Sequence, residues 1–143
     1  MSCPLCDTPG GTPLWQDDFC RIVLADEPDY PGFLRVILNA HVREMSDLPA
    51  ADQQELMRVV LATEAALREV MAPDKVNLAS LGNVVPHLHW HVIPRFADDP
   101  HFPNPVWGAR QHSTPHPAPA DMAAQLAASL SRRLGPAPGK ESR

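Results

Sequence analysis

The sequence predicts a single domain in which β-strands and a long helix share one core. Two apolar runs, 19–25 and 33–38, have the length and composition of strands. Apolar side chains recur at helical spacing over 49–71, and histidine alternates with apolar residues over 87–93. With 143 residues, of which 44% are hydrophobic, the chain is long enough for one such core.

The first two predicted strands form a hairpin-like pair. The strand over 19–25 ends in a turn over 26–32, where Pro28 and Pro31 interrupt ladder pairing. The strand over 33–38 follows directly. Because the connection is short, we expect the two strands to be antiparallel.

The central helix is predicted from Pro49 to Met71, ending before Pro73, since proline suits the first position of a helix and disrupts its interior. Its apolar stripe consists of Leu56, Val59, Val60, Leu67, Val70 and Met71. A third strand is predicted over 75–80, and Gly82-Asn83 supplies the turn into the histidine strand. Pro94 lacks an N–H group and should limit further pairing.

The composition changes after Phe96. Residues 97–120 contain six prolines and predict an irregular arm over the domain, not a second core. We expect Trp15 and Trp107 to be packing residues and the arm histidines to be solvated; these are His101, His112 and His116. An amphipathic helix is predicted over 121–134, and a disordered tail over 135–143.

Charge and composition restrict the classes of function. A net charge of −5 argues against a binder of duplex nucleic acid but not against mononucleotide substrates. No apolar run reaches the roughly twenty residues of a membrane span, and the N-terminus lacks the features of a signal peptide. We therefore expect a cytoplasmic protein with reduced thiols, in which Cys3, Cys6 and Cys20 favour metal binding over disulfides.

The segment 87–93 carries the strongest indication of function. In a strand, alternate side chains point to opposite faces, so His87, His89 and His91 share one face. The apolar residues between them would be buried on the other face; these are Leu88, Trp90 and Val92. Three imidazoles lining a wet cleft favour proton transfer, nucleophilic attack or metal binding.

This run, followed by Pro94-Arg95, resembles the motif of the histidine triad (HIT) family. The resemblance extends through Gly82-Asn83, Asn77, the long helix and His41, and covers about residues 3–97. It implies an α+β fold with an antiparallel sheet and a HIT domain over 1–97, and the composition adds a C-terminal arm, short helix and tail over 98–143. It also implies a homodimer that hydrolyses or transfers a nucleoside monophosphate through a nucleotidyl-histidine intermediate.

The resemblance assigns roles to the three histidines. His89 matches the nucleophile of the family, and His91 would donate a hydrogen bond to a phosphate oxygen or to the departing group. A neutral imidazole is a good nucleophile when its other nitrogen is hydrogen-bonded. His87 counts among the catalytic residues because it orients His89.

Cys3, Cys6, His41 and His87 resemble the zinc site found in some branches of the family and in galactose-1-phosphate uridylyltransferases. Two thiolates and two imidazoles make a closed, structural tetrahedral Zn²⁺ site. The alternative is that both thiols are free and His87 only orients His89.

The chain also departs from the family pattern. Phe33 stands where many members have histidine, Asn83 replaces a common glutamine, Val84 replaces a hydroxyl residue, and the adjoining loop is one residue shorter. Asp26 is a candidate ribose ligand or a solvated turn residue. Asn77 and Asn83 are candidates for phosphate or loop-ordering contacts, and Arg95 for a phosphate or a partner subunit.

The favoured function is a nucleotide hydrolase or nucleotidyl transferase acting on small nucleotide conjugates, of the dinucleoside polyphosphate or nucleoside phosphoramidate type. A zinc-stabilised nucleotide-binding or interaction module with little turnover is an alternative. A catalytic metal site on the three histidines is another. We also expect the arm, anchored by a buried Trp107, to shape the nucleotide cleft, so that deletion of 98–143 weakens nucleotide affinity or dimerisation more than it harms the central sheet.

Overall fold

A computed structural model describes residues 2–136. Its centre is a five-stranded antiparallel sheet with the strand order β1-β2-β3-β5-β4. The strands are β1 (Thr12–Gln16), β2 (Cys20–Leu24), β3 (Leu34–Leu38), β4 (Lys75–Ala79) and β5 (His89–Arg95). The predicted α+β class, with an antiparallel sheet, is confirmed.

The helices lie mainly on one side of this sheet. The short α1 (Pro4–Asp7) and a 3₁₀ turn (Met45–Asp47) precede the long α2 (Ala50–Met71), and α3 (Met122–Leu134) follows the arm. Pro49 caps the start of α2, and Ala72 ends it in the left-handed conformation. The last helical residue, Met71, therefore lies two positions before Pro73, as the sequence predicts.

The main core lies between the sheet and the two long helices. The apolar side of β5 contributes Val92, with Leu88 just before the strand, and the predicted stripe of α2 packs against it. From α3, Leu126 and Leu130 are fully buried in the same cluster. Because α3 belongs to this core, deleting 98–143 would uncover the apolar surface of the sheet and of α2 against which α3 packs. That packing argues against the expected order of effects, in which truncation weakens nucleotide affinity or dimerisation more than it harms the sheet, and this order stays a prediction.

Three element predictions need correction. Strand β1 was not predicted, because Pro13 and an irregularity between Pro13 and Trp15 break the alternation that marks a strand. The histidine strand begins at His89, so His87 lies in the preceding loop. Pro94 does not end the ladder: it sits within β5, opposite Val76, beyond the point where β3 stops pairing.

The C-terminal arm is held to the domain by Asp99. Its carboxylate accepts hydrogen bonds from Arg95 Nε (2.8 Å) and from the backbone N–H groups of Phe96, His101 and Phe102. Burial alone would raise the pKa of Asp99, but these donors outweigh burial and lower it to about 2. The arm is irregular, as expected, yet it is anchored by a buried ion pair.

Two of the three arm histidines, His101 and His116, are half-buried, contrary to expectation, whereas His112 is exposed as expected. His101 stacks on Tyr30 and shares a hydrogen bond with its hydroxyl, His112 bonds to the Asp99 carbonyl, and His116 stacks on Phe96. The rings and the carbonyl that these histidines contact belong to other parts of the fold, so the composition of the arm does not predict the contacts.

The two tryptophans differ. Trp15 packs in the main core as expected and donates its indole N–H to the Gly135 carbonyl (2.9 Å). Trp107 is 57% exposed, so it is not the buried anchor we expected. Residue 135 is thus ordered against the domain, and positions 137–143 of the predicted tail lie outside the described residues. None of the described helices is both long and apolar enough to cross a bilayer.

Candidate functional site

The second face of the sheet carries His89 and His91. Strand pairing places Ile37 opposite His89 and Arg35 opposite His91, so these four side chains share a face. The helices cover the other face, where Val92 is buried. The face that bears the histidines is therefore left to the N-terminal segment, the loop before β5 and the arm.

His89 is held in one tautomer. It is 8% exposed, and its Nδ1 lies 2.6 Å from the backbone carbonyl of His87. A carbonyl only accepts, so Nδ1 carries the proton and donates. In the neutral ring Nε2 then carries the lone pair, which a nucleophilic or basic imidazole requires.

His91 is a neutral imidazole in an aromatic environment. Phe33 contacts it edge-on at 5.4 Å between ring centroids, and Trp107 at 6.2 Å. Burial, together with the nearby His89 and Arg35, lowers the pKa of His91 to about 4. Its Nδ1 is buried without a hydrogen-bond partner among the described residues.

A second cluster brings together all four predicted metal ligands. One ligand atom from each of Cys3, Cys6, His41 and His87 lies within 4.8 Å of the others. His87 Nδ1 is 3.4 Å from Cys3 Sγ and 3.5 Å from Cys6 Sγ, and His41 Nδ1 is 3.4 Å from Cys6 Sγ. A tetrahedral Zn²⁺ with ordinary bond lengths separates its sulfur and nitrogen ligands by about 3.6 Å. The cluster fits a metal ion.

The electrostatics of the cluster agree with this fit. Desolvation and the neighbouring Cys3 raise the pKa of Cys6, because two adjacent thiolates repel without a cation. His87 Nε2 donates to the Leu38 carbonyl at 2.6 Å, which leaves Nδ1 unprotonated toward the sulfurs. Among residues 2–136, no other set of histidine, cysteine and carboxylate side chains forms a possible metal group, so His89 and His91 do not join His87 in one.

Two cavities meet at His91. One of about 390 Å³ lies between Trp107, His89, His91 and the loop 81–85. Another of about 230 Å³ lies on the other side of His91 and Trp107, where Arg35 and the turn after β2 line it. A third, of about 380 Å³, lies between His89 and residues 43–46. Open volume therefore lies beside both histidines.

The remaining predicted residues are distributed unevenly. Asn83 lies in the loop that lines the largest cavity beside His91. Asp26 is exposed in the turn after β2, where Glu27 and Asp29, not Asp26, line the adjacent cavity. Asn77 lines none of the three cavities at the histidines and accepts a hydrogen bond from Arg95 (2.7 Å).

Arg95 does not face a phosphate or a partner. It is 2% exposed and committed to Asp99, Asn77 and the Asn104 carbonyl. Strand β5 ends here beneath the arm, and Asp99 of the arm neutralises the charge of Arg95. The expectation for Arg95 is wrong.

Arg35 was not predicted as a site residue. The available indication was that Arg35 is charged within the apolar run 33–38, since a cation on one face of a half-buried strand is unfavourable without an anionic neighbour. Trp107 lines two cavities beside His91, in line with an arm that shapes the cleft, but its exposure was not predicted.

The fold and the paired histidines define a class of small proteins with the histidine triad motif. A family model described as "HIT domain" matches residues 11–98, and the chain belongs to this family. Among curated relatives, an AP-4-A phosphorylase of Mycobacterium tuberculosis is 29% identical over 89 residues, 58% of this chain and 46% of the relative. A bis(5'-adenosyl)-triphosphatase of Saccharomyces cerevisiae is 29% identical over 76 residues, 49% of this chain and 37% of the relative. The chain thus spans less than half the length of these relatives.

Solved structures of histidine triad proteins share this fold over most of the chain. A histidine triad protein from Marinobacter aquaeolei is 31% identical, with a TM-score of 0.69 over 88% of this chain and 90% of that one. A histidine triad family protein from Mycobacterium smegmatis, described as Zn-bound, has the same fold with 24% identity and a TM-score of 0.66, over 92% of this chain and 95% of that one.

Proposed function

We propose that the protein is a nucleotide hydrolase or nucleotidyl transferase that acts at the α-phosphate of small nucleotide conjugates. The observation that carries this proposal is the 2.6 Å hydrogen bond from His89 Nδ1 to the His87 carbonyl, which leaves Nε2 as the attacking atom. The distant relatives named for diadenosine substrates support the same substrate class.

In the first step, His89 Nε2 forms a bond to the α-phosphorus while the bond to the leaving group breaks. The leaving group departs with the electron pair of that bond. In the second step, water or another acceptor attacks the phosphorus and loses a proton, and the electrons of the phosphorus–nitrogen bond return to Nε2. A nucleoside monophosphate or its ester is released, and His89 is regenerated.

His91 acts as a neutral hydrogen-bond donor to a phosphate oxygen or to the departing group. Its low pKa keeps it uncharged at neutral pH, and its ring lies 5.0 Å from that of His89. The transition state gathers negative charge on phosphate oxygens, so a donor fixed beside the phosphorus lowers the barrier. Asn83, which lines the cavity beside His91, is the first candidate for a nucleotide contact. Asp26 and Asn77 stay candidates, although they line none of the cavities at the histidines.

The metal cluster is proposed to hold one structural Zn²⁺ through Cys3, Cys6, His41 and His87. All four positions of a tetrahedral ion would be filled by protein, which leaves none for substrate. When bound, the ion would tie the N-terminal segment to the loop before β5. Reduced cysteines are needed for this site, which favours the cytoplasm as the compartment.

We further propose a homodimer, with Trp107 closing the cleft at His91. A tryptophan that is 57% exposed beside two cavities can stack on a base or be covered by a second copy of the chain. No duplex nucleic acid or membrane is proposed as a partner.

The direct test is a panel of conjugates of adenosine and guanosine: diadenosine and diguanosine tetraphosphates and the two 5'-phosphoramidates. We expect release of the nucleoside monophosphate, measured by chromatography, and a nucleotidyl adduct on the intact protein after quenching in alkaline denaturant. Activity should survive EDTA in the assay, because the zinc is not a reactant. No turnover of any conjugate, with no adduct, would overturn the proposal.

One observation favours the alternative of a binding module with little turnover. Phe33, where many family members have histidine, packs on His91 and offers it no hydrogen bond. In that case the same nucleotides would bind without monophosphate release.

A further inference from the structure

We propose that Arg35 binds the phosphate chain beyond the α-phosphate and so selects conjugates whose leaving group is anionic. This inference rests on the proposed function and names the substrate class of the same site. It distinguishes polyphosphate conjugates from phosphoramidates, which lose a neutral amine.

Arg35 has the position that this role requires. It lies on β3 directly opposite His91 on β5, on the face of the sheet that carries both histidines. It also lines the 230 Å³ cavity that His91 and Trp107 border. A group leaving the phosphorus on the His91 side therefore comes within reach of the guanidinium.

Arg35 also has unused binding capacity. Its Nη1 donates a hydrogen bond to the Gly10 carbonyl (3.0 Å), and its guanidinium lies 5.7 Å from the centroid of the Phe33 ring. A guanidinium offers five N–H donors, and most of those of Arg35 have no partner within residues 2–136 and can bind a ligand. No carboxylate among residues 2–136 forms an ion pair with it within 4.0 Å.

The other charged groups at this cavity do not neutralise the charge of Arg35. Asp29 lines the cavity but is paired with Arg110 at 2.8 Å, and Glu27 is exposed in the turn. A half-buried cation without a counterion is unfavourable in the free protein. A phosphate chain supplies the missing charge, and its oxygens match the planar donors of arginine.

The Gly10 contact fixes where the guanidinium lies. Gly10 has φ of +86°, and a Cβ there would come within 2.7 Å of Ile37 Cδ1 and 2.8 Å of Leu5 Cδ2. Only glycine lets the N-terminal segment approach the sheet this closely. The segment thus holds one edge of Arg35 and leaves the other edge to the cavity.

The test compares two substrates that share a nucleoside and differ in the leaving group: diadenosine tetraphosphate and adenosine 5'-phosphoramidate. For Arg35→Gln we expect kcat/KM to fall about tenfold to a hundredfold for the tetraphosphate, the loss typical of a charge-assisted hydrogen bond. The phosphoramidate should change less than about threefold. Arg35→Lys should restore part of the tetraphosphate activity because it keeps the charge.

The matched control is Arg58→Gln, which removes the same charge from an exposed pair with Glu55 on α2. It should leave both substrates unchanged. An equal loss for both substrates in Arg35→Gln, or no loss for either, would overturn the selection by Arg35.

A binding measurement separates this inference from the proposed function. Calorimetric titration with inorganic tripolyphosphate should show weaker binding for Arg35→Gln than for the wild type and for Arg58→Gln. If the wild type turns over neither conjugate but binds tripolyphosphate through Arg35, the proposed reaction fails and the anion site stands. If binding does not depend on Arg35, the anion site fails whatever the turnover.

Discussion

The backbone carbonyl of His87 accepts the hydrogen bond of His89 Nδ1, while the imidazole of the same His87 points its Nδ1 at Cys3 and Cys6. One residue thus joins the metal cluster to the candidate nucleophile. A change at the cluster can move the His87 carbonyl and alter the tautomer and position of His89. The geometry of the metal cluster and the orientation of His89 are therefore coupled through His87.

His89→Ala should abolish turnover and leave nucleotide affinity and the fold largely intact. Removal of a nucleophile costs several kcal/mol of transition-state stabilisation, about a thousandfold or more in kcat, without an equal loss of ground-state binding. Steady-state rates, calorimetry and circular dichroism on the variant measure the three quantities. Near-normal turnover in His89→Ala would exclude the covalent route.

The purified protein should contain one zinc per chain, measured by elemental analysis without added metal. Removing the ion should lower the melting temperature, since structural zinc couples binding to folding. Cys3→Ser should lose the metal. The control is Cys20→Ala, because Cys20 lies in the main core away from the four ligands and should keep it. Zinc-free protein with titratable Cys3 and Cys6 would refute this site.

Stability should fall between pH 7 and pH 5, in part because of His91. Burial lowers the pKa of His91 in the folded protein to about 4, whereas the unfolded chain has an ordinary value near 6.5. Between these values the unfolded state binds the proton and the folded state does not, so acid favours unfolding. The full pKa difference predicts a loss of about 2 kcal/mol from pH 7 to pH 5.

His91→Asn isolates this contribution. Urea unfolding of both proteins at pH 7 and pH 5 should show a steeper loss of stability in the wild type than in the variant. Equal pH dependence in the two proteins would mean that His91 is readily protonated in the folded state.

Asp99→Ala should destabilise the protein by about 3–5 kcal/mol, because it leaves the buried guanidinium of Arg95 without its partner. The matched control is Asp29→Ala, which breaks the exposed pair with Arg110 and should cost less than about 1 kcal/mol. Chemical denaturation of each variant measures both. Similar losses in the two would show that Asp99 is not the anchor of the arm.

Local patterns in the sequence determined much of the secondary structure. The apolar period and flanking prolines place α2 within one residue of its observed bounds, because helix period and proline restraint are local. The strand pair β2–β3 and the shared face of His89 and His91 follow from alternation and short connections. Residue type and family resemblance identify the four metal candidates, and their ligand atoms converge in the structure.

Tertiary structure decided what depends on the path of the chain. Pairing across β3 and β5 brings Arg35 beside His91, and no local pattern contains that contact. The path of the arm places Asp99 against Arg95, and the two form a buried ion pair. The sequence alone had left Arg95 as a candidate for a phosphate. The arm also leaves Trp107 exposed at the cavity. Residues far apart in sequence meet only after the chain has folded, so their charges and partners are set by packing and not by propensity.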